Sequence, residues 1–106
     1  MSSKSSLTEA RNALASDLAD ALVRLKDKDE AMALLADLCT PAEVHTLAER
    51  WHVARLLDGT DLSYRDIHDG TGVSTTTIVR VARFLRQEPH QGYRQTIDTL
   101  ETANAG

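Results

Sequence analysis

The segment Thr71-Gly72-Val73-Ser74 constrains the fold more than any other part of this chain. It joins two short runs that each carry their own helix-start signal. Ser63 can cap the first run, and Asp66, three residues on, suits the positive end of a helix dipole. Gly72 follows where a left-handed backbone is needed to leave that helix, a conformation that costs glycine little. Ser74 caps the second run and leaves Thr75 and Thr76 at its amino end. In that run Ile78, Val81, Ala82 and Leu85 recur at i, i+3, i+4 and i+7, which gathers them on one apolar face. Thr76, Val79, Arg80, Arg83 and Arg86 fall on the opposite face. With Val73 filling the corner, the pattern predicts a helix-turn-helix over residues 63–86.

The remaining punctuation is helical too, with no internal repeat and almost no strand signal. Ser6 with Glu9 reads as a capping box for a helix over about residues 7–26, carrying Leu7, Ala10, Leu14, Leu18, Leu22 and Leu25 on one face. Asp27 with Glu30 starts a shorter helix that runs to about Cys39. Thr40-Pro41-Ala42-Glu43 combines a capping hydroxyl, a proline at the first helical position and an acidic first turn. The helix it starts carries Val44, Leu47, Ala48, Trp51 and Ala54 on one face and ends before Gly59. Glu88-Pro89 breaks the chain, and Gln91–Ala103 reads as a last amphipathic helix. The expectation is all-α: six helices in one domain over residues 7–106, preceded by a flexible arm at residues 1–6. Trp51 and Cys39 both fall in apolar surroundings and are expected in the core. His45, His52, His68 and His90 lack a clustered set of further ligands, so solvated or capping roles are expected and no metal.

The net charge of −4 would weigh against a nucleic-acid partner if it were uniform. It is not. Residues 1–62 carry seven basic and eleven acidic side chains, whereas residues 63–94 carry five arginines against three acidic groups. Fields are screened beyond about 10 Å at 0.1 M salt, so the local basic face decides phosphate contact. No apolar run is long enough to span a bilayer, no signal peptide opens the chain, and a cytoplasmic location is expected. No nucleophile–base pair, carboxylate dyad or glycine-rich phosphate loop is present, which argues against an enzyme.

An apolar inner face that anchors a helix, with a Thr/Arg outer face, suits entry into a major groove of double-stranded DNA. Threonines reach base edges or thymine methyls; arginines pair with guanine or phosphate. Val79 fits a thymine methyl better than it fits solvent. The candidate DNA-contacting residues are therefore Arg65, His68, Thr75, Thr76, Thr77, Val79, Arg80, Arg83 and Arg86. His68 stands where such motifs often have a small residue, so it either loosens the interhelical angle or points outward to a phosphate. The competing expectation is a helical protein-interaction module that does not bind DNA, since such hairpins also dock on proteins.

Several stretches resemble the Trp repressor family: Leu-x-x-Leu-x-Thr-Pro-x-Glu at 35–43, Arg50, Leu56-Leu57-x-Gly59, Ser63-x-Arg65, Gly72 and Thr77-Ile78-x-Arg80. The resemblance runs from about Leu34 to Leu100. Ser63-Tyr64-Arg65-Asp66-Ile67, Thr71-Gly72-Val73-Ser74, Thr77-Ile78-Val79-Arg80-Val81 and Gly92-Tyr93 are more similar still to its YerC/YecD-type branch. The resemblance implies an intertwined homodimer whose two motifs meet major grooves ~34 Å apart on a near-palindromic operator. It implies a sequence-specific transcriptional regulator, a repressor.

The family's corepressor is L-tryptophan, its indole held between two arginines. These correspond to Arg50 and Arg80, and Thr40 matches a further pocket position. The glycine after the second arginine is Val81 here, and the serine that meets the ligand's amino group is Phe84. Both larger side chains are expected to project into the pocket and plug it. Arg50 remains open between a pocket role and a helix-flank salt bridge. No cofactor is expected, and the family's usual use of tryptophan is not expected either: the protein binds DNA without an effector or answers another small ligand.

Overall fold

A computed structural model of the chain describes residues 3–105, with side chains for 6–103. It contains six helices in the order α1 (Ser3–Val23), α2 (Lys28–Leu38), α3 (Pro41–Gly59), α4 (Tyr64–Thr71), α5 (Thr75–Arg86) and α6 (Gly92–Ala105). The chain divides into two compact units, residues 1–40 and 41–106.

The N-terminal unit holds α1 and α2. Helix α1 starts at Ser3, so Ser6 lies inside it and caps nothing; of the expected flexible arm, residues 3–6 are helical and residues 1–2 lie outside the described residues. A serine caps only where the chain before it departs from helical geometry, and Ser-Lys-Ser-Ser contains no breaker to force that departure. The helix also stops earlier than expected, at Val23. Asp27 does cap α2, its carboxylate accepting from the Glu30 amide at 2.9 Å. Among the described residues of this unit none is buried: Leu7, Leu14, Leu18 and Leu22 on α1 and Met32 and Leu38 on α2 are exposed. Cys39, expected in the core, is half-buried at the end of α2.

The second unit owns the core. Val53, Ala54 and Leu57 of α3, Ile67 of α4, Val73 of the turn, Ile78, Val81, Ala82 and Leu85 of α5, and Ile97 of α6 form one buried cluster. Helix α5 packs against α3, α4 and α6, so its four core residues at 3- and 4-residue spacing fix both its depth and its rotation. Trp51 is half-buried at the margin of this cluster instead of inside it, stacked on Tyr93 with ring centroids 6.4 Å apart. Leu47, expected on the apolar face of α3, is exposed.

Candidate nucleic-acid interface

The turn between α4 and α5 is built as its residue types dictate. Ser63 and Asp66 form a reciprocal capping box: the Asp66 amide donates to Ser63 Oγ at 3.0 Å, and the Ser63 amide donates to the Asp66 carboxylate at 3.1 Å. Gly72 ends α4 with φ 77°, in the left-handed region, and its amide donates to the His68 carbonyl. The Thr71 hydroxyl receives the Val73 amide at 3.1 Å. Val73 then fills the corner, 4 % exposed. Ser74 caps α5, its Oγ accepting from the Thr77 amide at 3.2 Å.

With the inner face of α5 fixed in the core, Thr75, Thr76, Val79, Arg80 and Arg83 are left exposed on its outer side. Val79 is 50 % exposed. The Arg65 side chain, at the start of α4, is 90 % exposed and 3.9 Å from Asp69. A groove of about 220 Å³ runs beside the outer face, lined by Tyr64, Val79, Ala82, Arg83, Arg86 and Gln87. Tyr64 was not singled out by the sequence, although it directly follows the Ser63 cap and the first turn of α4 is brought against the middle of α5.

Three of the nine expected contact residues have other duties. Arg86 turns back to α3, where Nη2 donates to the Leu57 carbonyl at 3.3 Å. A guanidinium placed at the carbonyl end of a helix meets both unpaired acceptors and the negative end of the dipole. Thr77 is half-buried, its Oγ1 accepting from Ser74 Oγ at 3.0 Å as part of the α5 cap. His68 Nδ1 lies 2.8 Å from the Val73 carbonyl. A carbonyl only accepts, so Nδ1 carries the hydrogen of this bond. His68 thus braces the turn through Nδ1.

Among the residues expected around a ligand, Val81 and Phe84 meet different surroundings. Val81 does not project outward with Phe84: it is 1 % exposed, in the core. Val81 follows Arg80 by about 100° around α5, whereas Phe84, four residues on from Arg80, returns to within about 40° of it, so Arg80 and Phe84 share a side that Val81 leaves. Thr40 is the last residue of the N-terminal unit. Arg50 is half-buried with Nε buried and unpartnered, and no ion pair to it exists among the described residues. Phe84 is half-buried and lies under two guanidinium groups, Arg80 at 4.4 Å and Arg83 at 5.1 Å from its centroid. His90 stacks on it with centroids 6.2 Å apart and planes 8° apart. Phe84, His90, Tyr93 and Trp51 wall an open cavity of about 430 Å³.

The site is braced from below by an ionic clamp absent from the sequence reading. Both terminal nitrogens of Arg94 on α6 reach the Asp58 carboxylate at the end of α3, and Nη2 also donates to Asp98 at 2.6 Å. The hydrogen bond from Arg94 holds the Asp58 carboxyl below its ordinary range, against a smaller opposing effect of desolvation; the same contacts raise the Arg94 guanidinium value.

Comparison with known proteins agrees with this architecture. A family model described as Trp repressor protein matches residues 14–101. The uncharacterised protein YerC of Bacillus subtilis (strain 168) is 37 % identical over 84 residues, which is 79 % of each chain. The structure of a TrpR-like protein from Eubacterium eligens (ATCC 27750) superposes with TM-score 0.74 at 38 % identity, covering 81 % of this chain and 87 % of that one. A Trp-repressor candidate from Staphylococcus aureus superposes with TM-score 0.78 at 30 % identity, covering 90 % and 93 %.

Proposed function

Because this chain belongs to the Trp repressor family, we propose that it is a sequence-specific DNA-binding transcriptional repressor that places α5 of each of two subunits in a major groove. The observation that carries this reading is the division of α5 into two faces. Ile78, Val81, Ala82 and Leu85 are buried, while Thr75, Thr76, Val79, Arg80 and Arg83 stand exposed around the amino end and centre of the helix. In this arrangement Thr76 and Val79 read base edges and a thymine methyl, and Arg80 and Arg83 take guanine or phosphate. Arg65 adds a phosphate contact from α4.

The homodimer is supported by the N-terminal unit, whose helices bury no side chain among those described. Selection of bound duplexes from a random pool tests the reading. A palindromic consensus is expected, with affinity falling steeply between ~50 and ~200 mM salt. Recovery of no bound duplex even at ~50 mM salt would instead indicate a protein-interaction module.

The same proposal includes independence from tryptophan. Phe84 lies against Arg80, so an aromatic ring already occupies the face of that guanidinium. Titration calorimetry of the purified protein with L-tryptophan is expected to show no binding; a micromolar dissociation constant would overturn this part alone.

A further inference from the structure

We infer that Phe84 is a positioning residue for DNA binding: its ring holds the guanidinium groups of Arg80 and Arg83 in place on the outer side of α5. The inference rests on the DNA-binding reading above. An arginine on a solvated helix face has several freely rotating bonds and presents its charge over a wide volume, so ordering it on contact with DNA opposes binding. Here two such groups lie 4.4 and 5.1 Å from one ring centroid, within the range at which a cation is attracted to an aromatic face.

The ring itself is held. Leu85, the residue after Phe84, and Ala82, two residues before Phe84, are both buried, and His90 lies parallel to the ring. The loop that delivers His90 is fixed at both ends. The Glu88 amide donates to the Arg83 carbonyl at 3.1 Å, and the Gln91 side-chain amide donates to the Glu88 carbonyl at 2.7 Å. Gln91 itself sits at φ 56°, a left-handed conformation that a non-glycine residue adopts only when its surroundings impose it.

Charge supplies the direction. Gathering two cations around one ring is unfavourable without an anion. Arg83 has one, since its Nε is 3.4 Å from Glu88. Arg80 has no carboxylate partner among the described residues. A phosphate or a guanine edge would complete the arrangement, which suits a charge placed in advance of its ligand.

The test compares Phe84→Leu, which keeps most of the volume but has no aromatic face, with Phe84→Tyr, which keeps the face. The probes are the duplex selected by the wild-type chain and a mixed-sequence duplex at ~50 mM salt. Phe84→Leu is expected to bind both about five- to twentyfold more weakly, while Phe84→Tyr stays within about twofold. Side-chain NMR of the DNA-free protein gives an independent readout. The ring-current shifts of the Arg80 and Arg83 Hε protons are expected to persist in Phe84→Tyr and to disappear in Phe84→Leu. If the wild-type chain binds duplex and Phe84→Leu binds equally well, the DNA-binding reading stands and the role of Phe84 is overturned. If the wild-type chain retains no duplex even at low salt, the DNA-binding reading itself fails and takes this role with it.

Discussion

The imidazole of His68 and the carbonyl of Val73 are joined at 2.8 Å across the turn that separates α4 from α5. The bond ties the last turn of one helix to the residue just before the cap of the next, and so sets the angle at which α5 is presented. His68→Ala removes the donor and leaves a half-buried carbonyl unpaired. The expected cost is about 1 kcal/mol of stability, measured by urea unfolding. DNA affinity should fall as well, with an unchanged slope of log affinity against log salt. A slope reduced by about 1 would mean that His68 is a phosphate contact after all.

Acid should unlock the clamp between α3 and α6. The Arg94 guanidinium holds the Asp58 carboxyl below its ordinary range. A group whose value is lowered on folding binds fewer protons in the native state. Its contribution is therefore complete above the unfolded carboxylate value of about 3.9, and is lost as the pH falls through the lower folded value. Urea midpoints of the wild-type chain and Asp58→Asn, measured from pH 6 down to pH 2, should differ most at the upper end and converge toward the lower. Parallel curves would show that the pair contributes nothing that depends on ionisation.

Glu88 competes with DNA for Arg83. The pair is separated by 3.4 Å and is partly solvated, with 53 % of the Arg83 side chain exposed, so its own contribution to stability is small. Its negative charge nevertheless lies beside the basic face. Two unit charges some 6 Å apart in water interact by about 0.7 kcal/mol, or roughly threefold in affinity. Glu88→Gln should tighten binding to a mixed-sequence duplex by about threefold at ~50 mM salt. The gain should shrink at ~200 mM as screening increases. An unchanged affinity at both salts would place Arg83 away from the DNA.

How much of this was legible in the sequence depends on the range of the interaction involved. The Ser63–Asp66 box, the left-handed Gly72, the Ser74 cap and the Ile78-to-Leu85 face are encoded within a few residues, and all were readable as local patterns. Arg86 was assigned to DNA from its place on the helical wheel, but its partner, the Leu57 carbonyl, is 29 residues away. The Arg94–Asp58 clamp spans 36 residues and leaves no periodic trace. Val81 is instructive in another way. Its spacing from Ile78 and Leu85 placed it in the core, whereas alignment with a glycine position placed it in a pocket; the structure follows the spacing. Ser6 failed for the opposite reason, because a capping pattern is informative only where the preceding chain leaves the helix.

The apolar stripe of α1 makes the last prediction. Leu14, Leu18 and Leu22 repeat every four residues on one face and are 71 %, 43 % and 47 % exposed. Burial of a leucine contributes about 1.5–3 kcal/mol. Covering Leu14 and Leu18 on two chains would thus supply at most about 6–12 kcal/mol, comparable with the roughly 8 kcal/mol that a micromolar dimer requires. A homodimer that uses this face should melt at a temperature that rises with protein concentration. The double variant Leu14→Glu with Leu18→Glu should sediment as a monomer at micromolar concentration, unfold without concentration dependence and lose operator affinity, because two half-sites are no longer held together. A wild-type chain that already sediments as a monomer at those concentrations would remove the dimer from the proposal. A dimeric double variant would move the interface to another face.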